Sequence, residues 1–128
     1  MKVYKAEKRG SLLLVRSFVE GPSGKAYPKL LLDTGSAYTL ISQEILETIG
    51  CSPASPVRTQ RIITGSGYEI VPVVKADRFH CVGSLLEHFE ILAHTLPFGA
   101  YVDGLPGMDF MGRFAIEIRT HSAEILIR

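Results

Sequence analysis

A mostly β single domain with one or two short helices is what this sequence predicts, and three observations carry that expectation. Apolar runs are brief and interrupted, glycine and proline punctuate them often, and the runs themselves are rich in β-formers. At 128 residues, with 46% apolar content and a mean hydropathy of +0.19, the chain suits one compact domain over residues 1–128.

The elements follow in order. "MKVYKAEKRG" sets Lys2, Lys5, Lys8 and Arg9 against Glu7 alone and reads as a solvated terminus rather than a basic arm. "SLLLVRSFVEG" (Ser11 to Gly21) predicts a strand, "GPSG" a turn, and "AYPKLLLD" a returning strand, so the domain opens with a hairpin. "YTLIS" (Tyr38 to Ser42) continues extended after Asp33-Thr34-Gly35.

"SQEILETIG" (Ser42 to Gly50) carries helix marks. Ser42 can N-cap, Glu44 suits the positive end, Ile45, Leu46 and Ile49 share one face, and Gly50 ends it. "CSPASP" is a loop. "TQRIITGSGYEIVPVV" predicts two β arms joined through Gly65, Ser66 and Gly67, with Pro72 suited to an edge or to the end of strand pairing.

Lys75 to Leu92 suggests further strands, while "GSLLEHFEILAH" reads equally as strand or helix. "DGLPGMDFMGRF" (Asp103 to Phe114) sets two glycines around a Leu-Pro pair before a helix-compatible stretch, with Asp109 as a cap. "FAIEIRTHSAEILIR" closes the chain as two alternating arms around Thr120 to Ser122.

Several function classes are disfavoured. A net charge of +1 gives no field that would draw nucleic acid. No apolar run reaches membrane-spanning length, and the start lacks the order of a signal peptide, so a cytoplasmic, reduced protein is expected. Cys51 and Cys81 form no C-x-x-C pair, and His80, His88 and His94 lack a ligand spacing. They read as surface or capping histidines, and neither metal nor cofactor is implied.

The chemistry concentrates in "LLLDTGSAYTLIS" (Leu30 to Ser42), where Asp33 ends an apolar run and hydrophobicity resumes just beyond Gly35. A carboxylate between segments that favour burial is well hydrogen-bonded, strained or chemically useful. Together with the glycine-bearing hairpin "RIITGSGYEI" and with "VDGLPGMDFMGRFAIEI", this stretch resembles the retropepsin-like (retroviral-type) aspartic proteases, in the right order from about Leu12 to Leu126. The closing arms are more similar to cellular and bacterial single-domain members than to viral ones.

The resemblance implies a single-lobe acid-protease β-barrel that works as a homodimer. Peptide hydrolysis by an activated water needs both a base and an acid, and two carboxyls a few ångströms apart supply both by sharing one proton. Asp77, Asp103 and Asp109 all lie outside an Asp-Thr/Ser-Gly context, so the economical second carboxylate is Asp33 of another copy across a two-fold axis.

The catalytic set is then Asp33, Thr34 and Gly35. Gly35 permits a tight turn, Thr34 would bond across the axis, and Ser36 could bond the outer oxygen of Asp33. Gly65, Ser66 and Gly67 would form a flap over an extended peptide, with Ile62, Ile63 and Ile70 giving it an apolar surface. Leu31, Leu40 and Leu105 would line pockets for apolar side chains. Family members usually pair an Asp and an Arg where this chain has Ala37 and Met108, and Pro106 stands where a β-branched residue is usual. The competing reading is a non-catalytic dimerisation or peptide-binding module on the same fold.

Overall fold

A computed structural model describes residues 2–96 and 101–128. In chain order the strands are β1 (Lys2–Lys5), β2 (Glu7–Arg9), β3 (Leu12–Gly21), β4 (Gly24–Ala26), β5 (Lys29–Leu31) and β6 (Leu40–Ile41). Helix α1 (Gln43–Thr48) precedes β7 (Arg58–Thr64), β8 (Gly67–Cys81), β9 (Ser84–Ala93) and β10 (Gly104–Leu105). Helix α2 (Met108–Met111) leads to β11 (Ile116–Arg119) and β12 (Glu124–Ile127).

Strands β3, β5, β10, β6, β9 and β8 follow one another around a ring, and β3 pairs with β8 to close it into a barrel. Closure leaves no free edge within the ring. Strands β2 and β4 attach to β3, β7 attaches to β8, and β1, β12 and β11 form a separate three-stranded sheet.

The terminus expected to be solvated is built into both sheets. Lys2 to Lys5 pair with Ile127 to Glu124, and Glu7 to Arg9 pair with Leu14 to Leu12. The charged residues of these strands stay exposed while Ala6 between them is buried and Tyr4 packs on the core. An added Cβ at Gly83 would collide with the Tyr4 ring, so a glycine on the distant β8–β9 turn makes the seat for this strand. Lysine-rich sequence with one docking aromatic looks like a tail until that seat is known.

Helix α1 forms as its signals predict. Ser42 Oγ accepts from Ile45 N–H at 3.4 Å. At the far end Gly50 takes φ +85°, Gly50 N–H donates to Glu47 O at 3.1 Å and Cys51 N–H to Leu46 O at 2.9 Å. This pair of bonds is a Schellman motif, which needs the left-handed residue that glycine provides.

The ambiguous segment is strand β9, paired with β8 from Val73↔Leu92 to Cys81↔Ser84. Its turn, Val82 and Gly83, has φ of 42° and 78°, the double positive φ of a type I′ hairpin. A β-branched residue is a poor choice there, so the sequence hides the turn. Burial of Val82 offsets the strain.

Phe79, Phe89 and Phe110 meet at the centre of the main core, with ring centroids 5.3–6.2 Å apart. Phe110 thereby pins α2 to the barrel. His80 is half-buried and stacks on Phe18 at 5.0 Å; burial first, then the charge of Lys2, lowers its affinity for a proton.

Candidate active site

Strand β10 slots between β5 and β6, parallel to the first (Gly104↔Leu30) and antiparallel to the second (Gly104↔Ile41, Leu105↔Leu40). The chain therefore leaves β5, arches past β10 as residues 32–39 and re-enters the barrel as β6. Only Leu40 and Ile41 of the expected "YTLIS" strand are regular, because the arch consumes the rest. Backbone crowding here explains both glycines of "DGLPG". A Cβ on Gly104 would collide with the Leu40 carbonyl, and one on Gly107 with the Tyr38 carbonyl. Strand β10 ends at Pro106, which cannot donate to a further ladder bond.

Asp33 stands half-buried in this arch, with Thr34 and Gly35 exposed beside it. Asp33 Oδ1 accepts from Gly35 N–H at 2.9 Å, and Asp33 O accepts from Ser36 N–H at 3.4 Å, which closes the turn. A Cβ on Gly35 would lie 3.2 Å from the same Oδ1 and press on the carboxylate. Asp33 Oδ2 takes no hydrogen bond from the described residues. The Ser36 hydroxyl, expected on Asp33, instead donates to Tyr38 O at 2.7 Å, because the turn aims it along its own loop.

The arch is anchored from below by Thr39, which is fully buried. Its Oγ1 donates to Asp109 Oδ1 at 2.8 Å and accepts from Gly107 N–H at 3.0 Å, while its N–H donates to Asp109 Oδ2 at 3.1 Å. Asp109 therefore does not cap α2 as expected; Gly107 is the N-cap and makes no side-chain bond. Two backbone bonds add to the anchor, Met108 N–H to Ser36 O at 2.8 Å and Asp109 N–H to Ala37 O at 3.1 Å. The arch and α2 are thus joined through main chain at Ser36–Met108 and Ala37–Asp109, without the ion pair usual where Ala37 and Met108 stand. Asp103 is likewise structural, accepting from Lys29 N–H through Oδ2 at 2.9 Å.

Leu31, Leu40 and Leu105 come together in a second, smaller apolar cluster with Val71, Val73 and Ile62. It lies between the Asp33 arch and the base of the β7–β8 hairpin. Sequence reasoning missed Thr39, Val71 and Val73; the one available signal was a lone hydroxyl residue in the apolar run that follows Tyr38.

The hairpin pairs from Arg58↔Val73 to Thr64↔Gly67, so Gly65 and Ser66 form a two-residue tip. Opposite residues share a face, which puts Ile62, Glu69 and Val71 on the side of the apolar cluster. Ile63 and Ile70, expected to cover a substrate, lie on the other face with Tyr68, and Ile63 is 90% exposed. Pro72 sits where β8 parts from β9, whose pairing starts at Val73. From Pro72 to the tip the hairpin pairs only with itself.

A closed barrel, an arch carrying Asp-Thr-Gly and a hairpin beyond the arch define the retropepsin-like class. The fold is similar to that of a retropepsin-like aspartic protease from Rickettsia conorii, with a TM-score of 0.70 over 98% of this chain and 91% of that one, at 18% identity. The family model described as aspartyl protease matches residues 21–110, and the chain belongs to that family. No curated protein sequence matches it. Among the described residues no helix is long and apolar enough to cross a membrane.

Proposed function

We propose that this chain is an aspartic endopeptidase whose acid–base pair forms when two copies bring their Asp33 arches together at a two-fold axis. The observation that carries the reading is the commitment of the neighbouring acids. Asp103 and Asp109 are spent on Lys29 and Thr39, whereas half-buried Asp33 leaves Oδ2 unengaged by the described residues. One copy thus supplies one reactive carboxylate, and membership of the aspartyl protease family supports the chemistry.

In the proposed reaction an extended peptide lies between arch and hairpin as an added strand, its apolar side chains against Leu31, Leu40 and Leu105. Water bound between the two Asp33 carboxyls loses a proton to the ionised one as its oxygen attacks the scissile carbonyl carbon. The protonated one gives its proton to the carbonyl oxygen. Collapse of the tetrahedral intermediate breaks the C–N bond: the amine leaves with a proton from one carboxyl, and a hydroxyl of the intermediate returns its proton to the other, which restores the shared proton. Thr34 and Gly35 hold the turn, Ser36 stiffens it, and Gly65, Ser66 and Gly67 close over the peptide.

The test is cleavage of a diverse peptide library by wild type and Asp33→Asn across a range of protein concentrations. Wild-type specific activity should rise with concentration and then plateau as dimer saturates, and Asp33→Asn should be inert. Equal cleavage by the two proteins, or concentration-independent turnover by a monomer confirmed by sedimentation, would overturn the reading.

A further inference from the structure

At the fork where β8 leaves β9, His94 Nε2 lies 3.8 Å from Glu69 Oε2. His94 belongs to the body of the barrel, its N–H donating to Ile41 O at 3.0 Å. Glu69 belongs to the hairpin, three residues beyond Ser66 and opposite Ile62. The pair therefore spans the gap between a fixed wall and a ribbon that has lost its pairing with β9. Leu96, two residues past His94, packs on the same small cluster as Ile62, so the contact sits at the rim of the cleft.

We propose that Glu69 and His94 are positioning residues: a latch that holds the hairpin over the cleft when the imidazole is protonated. The proposal rests on the reading of that hairpin as the lid of a peptidase. A carboxylate and a neutral imidazole at 3.8 Å attract weakly, and a carboxylate and an imidazolium strongly. The latch is therefore engaged when the imidazole carries a charge and slack when either partner is neutral.

Competing charges nearby are already placed. On β7, Arg58 pairs with Glu90 of β9 at 3.0 Å and Arg61 stacks on Tyr68 on the outer face. Asp33 and Tyr38 on the arch, and Glu44 on α1, make no ion pair with His94 or Glu69 among the described residues. Strand β6 brings only Leu40 and Ile41.

The test measures hairpin position directly, without reference to cleavage. Spin labels at Ser66→Cys and Thr48→Cys, in protein diluted with unlabelled chain, report the tip-to-body distance by double electron–electron resonance. The closed fraction relative to open should be about two- to fivefold higher at pH 5.5 than at pH 8, the range expected of a partly exposed ion pair. Glu69→Gln should abolish that dependence, and His94→Lys, with a permanent charge, should keep the hairpin closed at both values. Identical distance distributions at the two pH values, or a Glu69→Gln variant that still responds, would overturn the latch. An inactive protein that nevertheless shows the pH response would leave the latch standing and refute only the peptidase reading.

Discussion

Replacing Thr39 by valine removes one hydroxyl from the point that fixes the Asp33 arch and changes almost nothing else. Valine keeps the branched shape, so no cavity opens in a site with no solvent exposure. Two bonds are lost: the 2.8 Å donation to the Asp109 carboxylate and the 3.0 Å acceptance from Gly107 N–H. A hydrogen bond to a charged group contributes about 1.5–3 kcal/mol, and an orphaned buried amide costs about 1–3 kcal/mol more. The combined loss is roughly 2.5–6 kcal/mol, a large part of the ~5–15 kcal/mol typical of a domain. Urea unfolding should show a lower midpoint at unchanged m-value, and Tm should fall by roughly 10–20 °C. Thr39→Ser keeps the hydroxyl and drops one methyl, so it should cost only about 1 kcal/mol. Thr39→Val within about 0.5 kcal/mol of wild type, or a serine variant as damaged as the valine one, would refute the assignment of Thr39 as the anchor.

Burial pushes the Cys81 thiol up to about 12, so between pH ~9 and that value the unfolded chain gives up a proton that the folded one keeps. This contribution is whole below pH ~9 and lost as pH rises, by up to ~4 kcal/mol; urea unfolding at pH 8.5 and 10.5 should show a shallower decline in Cys81→Ala. Gly67 has φ +134° while Gly65 has no such constraint and no atom near a virtual Cβ. Gly67→Ala should therefore strain the hairpin by about 1 kcal/mol and slow cleavage, and Gly65→Ala should do neither; equal effects in a peptidase assay would place the hinge elsewhere. Cleavage should follow a bell-shaped pH profile, because the proposed mechanism requires the two Asp33 carboxyls to share one proton; a rate still climbing in alkali would point to another base.

Much of this protein is legible in its sequence because the signals are local. Ser42 and Gly50 bracket a helix by satisfying that helix's own end groups. The Gly65–Ser66 tip follows from two β-rich arms, and Asp33-Thr34-Gly35 stands out as a candidate site because it places an acid between apolar runs. Tertiary structure decided what depends on partners far along the chain. Lys2–Lys5 is a strand only because Ile127 to Glu124 offers an edge and Gly83 a seat for Tyr4. Asp109 turns away from its own helix because Thr39, seventy residues earlier, presents two donors to it. Ile63 and Ile70 face outward because the register Ile62↔Glu69 fixes which side meets the cleft, and a period of two gives either face an equal claim until one is buried. His94 meets Glu69 for the same reason: β9 and β8 run together as far as Val73 and then part, and only that geometry sets an imidazole across from a carboxylate.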